Sequence, residues 1–161
     1  MRQRRLKDLQ TEDFVVAKDG RVLVHRCYPL RIVEGRPTPF PTLFWLANEE
    51  MVKHISHAER DGWIRRFQER LRADPEALER HAAEHAAYIE ERWSLLTDEH
   101  RALVRESGLE ADFRERGIGG MLDRAQIKCL HLQYAHHLAR FNTIGQWMED
   151  EGLVVRPALG D

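Results

Sequence analysis

Cysteine is scarce in this chain, which has only Cys27 and Cys129. Two thiols about a hundred residues apart form no disulfide framework, so a reducing compartment is expected. Long apolar runs are missing too. The longest, Val15-Val16-Ala17 and Leu43-Phe44-Trp45-Leu46-Ala47, fall far short of the roughly 20 residues a membrane span needs. No apolar stretch follows the basic start Met1-Arg2-Gln3-Arg4-Arg5-Leu6-Lys7, so it does not read as a secretory signal. It reads as a solvated terminus or a polyanion-binding arm. Together these features point to a cytoplasmic protein with no membrane partner. Charge of one sign is also missing. The 25 Lys and Arg against 27 Asp and Glu leave a formal net charge of −2. The chain therefore has no global attraction to polyanions, and no basic stripe interleaves with aromatics. Nucleic acid is disfavoured as a partner. A small anionic molecule, a protein or a second copy remain open.

What is present suits a single helix-rich domain: 161 residues, 32% charged and 42% hydrophobic. Phe14-Val15-Val16-Ala17 and Arg21-Val22-Leu23-Val24 flank Asp19-Gly20, a hairpin signal because glycine accepts the positive φ of a tight turn. Prolines cluster at Pro37, Pro39 and Pro41, which predicts a stiff extended loop rather than a strand. Thr42 to Leu46 reads as a third strand. From Asn48 the apolar spacing becomes helical. Asn48 and Asp74-Pro75 are start signals, Gly62 and Gly108 stop signals. A long helix is expected from Asp74-Pro75 to about Leu96, a short one after Thr97-Asp98, and a last long helix from about Asp123 to Phe141. A short amphipathic turn follows around Ile144, Trp147 and Met148. The expected organisation is a basic tail over 1–12, one α+β domain over 13–151, and a loose tail over 152–161. The domain is mostly helical. A small N-terminal antiparallel sheet is packed by about five or six helices.

Three stretches carry a resemblance. They are Arg26-Cys27 after a strand, then Pro39-Phe40-Pro41-Thr42-Leu43-Phe44-Trp45-Leu46, then Gly119-Gly120-Met121-Leu122-Asp123-Arg124 with Lys128-Cys129-Leu130-His131 and His136. In order and spacing the chain resembles the bacterial family called domain of unknown function 501, over roughly residues 21 to 146. Many members carry Thr-Cys-Pro after the Trp-Leu pair, where this chain has Ala47-Asn48-Glu49. The resemblance brings no activity with it.

On a helix from Asp123 to Phe141, Arg124, Lys128 and His131 fall at i, i+4 and i+7, one stripe between two apolar faces. The stripe begins where Gly119 and Gly120 allow close backbone approach and free N–H groups favour anions. The expected site is a cleft for a small phosphorylated or carboxylated ligand. Arg124, Lys128 and Arg26 would hold the anion, and Gly119 and Gly120 would offer amides. His131 would be acid or base, and Cys27 or Cys129 would line the cleft. The bland alternative is a structural polar seam. The same wheel argues against a metal. It sets Cys129 and His131 about 200° apart, and Cys129 and His136 about 10.5 Å apart along the axis. A metal would need donors from elsewhere, such as Cys27, His25, His54 or His57.

Other candidates are weaker. His81-Ala82-Ala83-Glu84-His85 matches the H-x-x-E-H string of inverted zinc proteases, but His85 lies on an apolar stripe and reads as a core histidine. Cys27 lacks the arginine six positions on that a Cys-phosphatase loop needs. Three functional classes follow: an anion-binding protein or enzyme of unassigned reaction and cofactor, a non-enzymatic helical interaction module, and a Cys/His metal-binding protein.

Overall fold

A computed structural model describes residues 9–161. Residues 1–8, which hold the basic start, lie outside the described residues.

Strand β1 (Thr11–Val16) and β2 (Val22–Cys27) form the expected hairpin, and Gly20 takes φ +87° in its turn. Strand β5 (Phe44–Leu46) pairs antiparallel on the other side of β2, giving the order β1-β2-β5. A second ribbon joins β3 (Leu30–Val33) and β4 (Arg36–Pro39). Its two-residue turn, Glu34-Gly35, has positive φ at both positions, the geometry that matches strand twist. The proline stretch, expected to be a loop, thus begins as a strand. Pro37 pairs with Ile32 and Pro39 with Leu30. A two-stranded ribbon has only edges, where a missing N–H is tolerated.

Seven helices follow among the described residues: α1 (Glu49–Arg60), α2 (Trp63–Ala73), α3 (Pro75–Leu95), α4 (Asp98–Glu106), α5 (Glu110–Glu115), α6 (Leu130–Ala139) and α7 (Thr143–Asp150). The architecture is α+β and mostly helical. The side chains of Asn48, Asp74, Thr97 and Asn142 each accept an N–H from the first turn of α1, α3, α4 and α7. The segment after Gly152, expected to be loose, returns to the sheet. Leu159 bridges Ala17, and Gly160 N–H donates to the Val16 carbonyl at 2.8 Å.

The largest departure concerns the last long helix. It begins at Leu130, not at Asp123. The main-chain donors that would continue a helix upstream are held by side chains of other elements. Ile127 N–H donates to Gln68 Oε1 of α2, and Leu130 N–H donates to Glu59 Oε1 of α1, both at 2.8 Å. Asp123 closes a local turn by accepting Ala125 N–H. The 121–129 segment is therefore draped over α1 and α2. From Leu130 on, α6 is almost wholly buried against β5, α7, α1 and β2. Around it lies the main core, including Leu23, Phe44, Ile55, Leu71, Tyr134 and Met148.

Candidate functional site

The non-helical course of 121–129 changes which groups can meet. Cys129 is the extended residue before α6, with φ −152° and ψ 121°. The 100° rotation per helical residue does not apply across it. Cys129 Sγ lies 3.5 Å from His131 Nδ1, where a regular helix would place them on opposite sides. Glu59 Oε1, from the last turn of α1, lies 3.1 Å from the same nitrogen. One ligand atom from each of Glu59, Cys129 and His131 falls within 4.8 Å of the others. His131 is buried, and Glu59 and Cys129 are half-buried.

The other ring nitrogen fixes the tautomer. His131 Nε2 faces the Val52 carbonyl at 3.1 Å and Ser56 Oγ at 3.0 Å. Ser56 Oγ already donates its proton to that carbonyl at 2.7 Å, so both neighbours of Nε2 are acceptors. Nε2 must therefore carry the proton and donate it. A neutral ring then turns its Nδ1 lone pair toward the Glu59 carboxylate and the Cys129 sulfur. The three atoms can be held together by a shared proton, on the imidazole or on the Cys129 thiol, or by a metal ion. With the proton on Nδ1, burial works to lower the His131 pKa, but the Cys129 and Glu59 pairings outweigh it and raise it to about 9. Burial likewise works to raise the Glu59 pKa and is outweighed by its pairing with His131, leaving it below its ordinary value. Ligand atoms held tetrahedrally about 2.0–2.3 Å from one zinc ion lie roughly 3.3–3.7 Å apart. The separations of 3.1 and 3.5 Å are close to that span.

The other residues singled out in the sequence do not join this cluster as expected. Arg124 and Lys128 share no helical stripe with His131, because 121–129 is not helical. The Arg124 guanidinium donates to the Met121 and Glu115 carbonyls, each at 2.7 Å, and so knits its own loop. Gly119 and Gly120 lie in a single 3-10 turn, and the Gly120 amide donates to the Gly117 carbonyl. Lys128 is exposed beside Cys129. Arg26 lies at the opposite end of α6. It shares Glu91 with Arg140, the residue that closes that helix, and both guanidiniums lie over the Phe14 ring. Cys27 lines a cavity of about 260 Å³ with Arg26 and Tyr28. It is 1% exposed, and burial pushes its thiol up to about 12, which suits a small buried hydrophobe better than a reactive thiol. Arg26 and Cys27, expected at the cleft, are thus not at the start of α6. His54 and His57 lie on the face of α1 opposite Glu59, in a groove of about 540 Å³ against the 152–157 segment.

The H-x-x-E-H string forms a buried network instead of a chelate. Ile118 N–H donates to His85 Nδ1 at 3.0 Å, so the His85 proton sits on Nε2. That N–H faces His81 Nε2 at 3.2 Å. His81 in turn donates through Nδ1 to Glu84 at 2.7 Å, and Glu84 accepts the Thr143 hydroxyl at 2.6 Å. A nitrogen that must donate cannot ligate, so His85 is a packed core histidine. Desolvation by burial, and then the nearby His81, lower its pKa to about 3.

Glu59 and Ser56 are the residues that sequence reasoning misses. In the sequence they are one helical polar face, and their partner lies 72 or 75 positions on. Only the fold brings them to His131. Comparison with curated proteins and with solved structures returns no match. One family model, described as a protein of unknown function (DUF501), matches residues 15–150, and the chain belongs to that family.

Proposed function

We propose that this protein binds a transition-metal ion, with zinc the best fit, through Glu59, Cys129 and His131. The observation that carries the reading is the convergence of a thiol, an imidazole nitrogen and a carboxylate within 4.8 Å. Thiolate and imidazole favour zinc over calcium or magnesium, and a carboxylate oxygen is also a zinc ligand type. The outer contacts suit the same role. A metal-binding histidine almost always donates its second N–H to a carbonyl or carboxylate, as His131 Nε2 does to Val52. Glu59 is likewise held by the Leu130 N–H. Three protein ligands with two of them half-buried leave a fourth position open to solvent, an arrangement associated with reactive rather than purely structural zinc.

Metal analysis of the purified protein, followed by zinc titration of the stripped protein against a chromophoric chelator, tests this reading. One equivalent per chain is expected. Cys129→Ser and His131→Ala should abolish it, Glu59→Gln should weaken it, and Cys27→Ser should leave it unchanged. Cobalt substitution should give a thiolate-to-metal absorption band that Cys129→Ser removes. Retention of full zinc affinity in Cys129→Ser and His131→Ala overturns the assignment.

A further inference from the structure

The surroundings of this cluster carry an unbalanced charge. Val52, Ser56 and Glu59, which touch His131 or its partners, lie along one face of α1. Lys53 and Arg60 each follow one of these residues, and with Ser56 they form an i, i+3, i+7 stripe beside the contact face. Lys128 directly precedes Cys129 on the facing segment. All three cations are exposed, and none pairs with an acid among the described residues. Other exposed cations such as Lys18, Arg36, Arg72 and Arg80 also lack a carboxylate partner, so what sets these three apart is their position beside the Glu59–Cys129–His131 cluster.

We infer that the open side of the Glu59–Cys129–His131 site receives a phosphate or phosphomonoester group, held between the bound metal ion and the Lys53, Arg60 and Lys128 side chains. The inference rests on the metal reading above. A divalent ion cancels the two negative charges of a thiolate and a carboxylate, so the rim cations stay uncompensated. A tetrahedral dianion satisfies both parts. One oxygen fills the fourth metal position, and the others meet an arginine that can bind two oxygens and lysines acting as point charges. A single-charged carboxylate matches the same rim less well. The basic cluster expected at the start of the last long helix thus keeps Lys128 but draws its other members from α1, not from the Arg124 loop.

Protein loaded with one zinc equivalent and freed of excess metal can be titrated with inorganic phosphate, followed by calorimetry and phosphorus NMR, with acetate as the carboxylate arm. Saturable phosphate binding is expected for the loaded protein, at least tenfold tighter than for the stripped protein and for acetate. The Lys53→Ala/Arg60→Ala/Lys128→Ala variant should keep its zinc and its melting temperature but lose phosphate affinity at least tenfold. Zinc retention without phosphate binding overturns this inference and leaves the metal reading intact. Equal phosphate affinity in the stripped protein or in the triple variant also overturns it. Failure of the parent to hold zinc overturns both.

Discussion

At the scale of single residues, the polar interior demands close backbone approach at two glycines. A Cβ on Gly117 would lie 2.1 Å from His85 Nδ1, and one on Gly145 would lie 2.2 Å from His137 Cβ. Neither side chain can retreat, because His85 accepts the Ile118 N–H and His137 accepts the Asn142 N–H. Gly117→Ala should therefore cost about 1–3 kcal/mol through overpacking, measured by urea unfolding. Gly20→Ala meets no neighbour within 4 Å and should cost only its turn strain, about 1 kcal/mol. Equal losses at both positions would show that His85 is not locked. Arg92 is another residue whose role follows from its partners. It is 1% exposed, and its guanidinium donates to the carbonyls of Pro41, Phe113 and Arg116, so it closes the end of α5 against the proline loop.

At the scale of elements, the decisive feature is the irregular 121–129 segment. Its apolar spacing suits a helix, yet α1 and α2 hold its backbone donors through Glu59 and Gln68. Gln68→Leu would leave the Ile127 N–H without its acceptor at a half-buried position. A loss of about 1–3 kcal/mol is expected, with faster hydrogen exchange confined to 121–129. Helix forming upstream of Leu130 in that variant, seen as raised far-UV helicity, would show that Gln68 alone suppresses it. The sequence made α1, α3, α4 and the β1–β2 hairpin legible, because their caps and turn residues are local. The β3–β4 ribbon was not legible, since its prolines argue against a strand until the edge position is known. Short α5 was also missed, having neither a side-chain cap nor a long apolar period.

At the scale of the whole molecule, buried histidines tie the fold to pH. Burial lowers His85 to about 3 and His136 to about 4, from an ordinary 6.5. Both groups are held neutral in the fold, so the unfolded chain binds more protons below about pH 6.5. Stability then rises with pH in that window. It should be full above about pH 6.5 and fall steadily as the pH drops toward 4. The loss should be about 2–3 kcal/mol per histidine by pH 4.5, since each tenfold difference in proton affinity between folded and unfolded chain is worth about 1.4 kcal/mol. Urea unfolding of stripped protein at pH 7, 5.5 and 4.5 measures this. His136→Phe, which keeps the ring contacts with Phe44 and Tyr88, should flatten the slope. An unchanged slope in that variant would remove His136 from the account. No helix among the described residues is long and apolar enough to cross a membrane.

The sequence by itself determined the α+β class, the hairpin, most helix starts and the family, since each depends on residues near one another in the chain. It also singled out Cys129, His131 and Lys128 as chemistry-bearing residues. It could not decide how they combine. A helical wheel separates Cys129 from His131, whereas the structure joins them. The reason is tertiary: Glu59 takes the Leu130 N–H, the helix starts one residue after Cys129, and that extended residue swings its sulfur toward the imidazole. The same carboxylate that ends the irregular segment is the third donor of the proposed site.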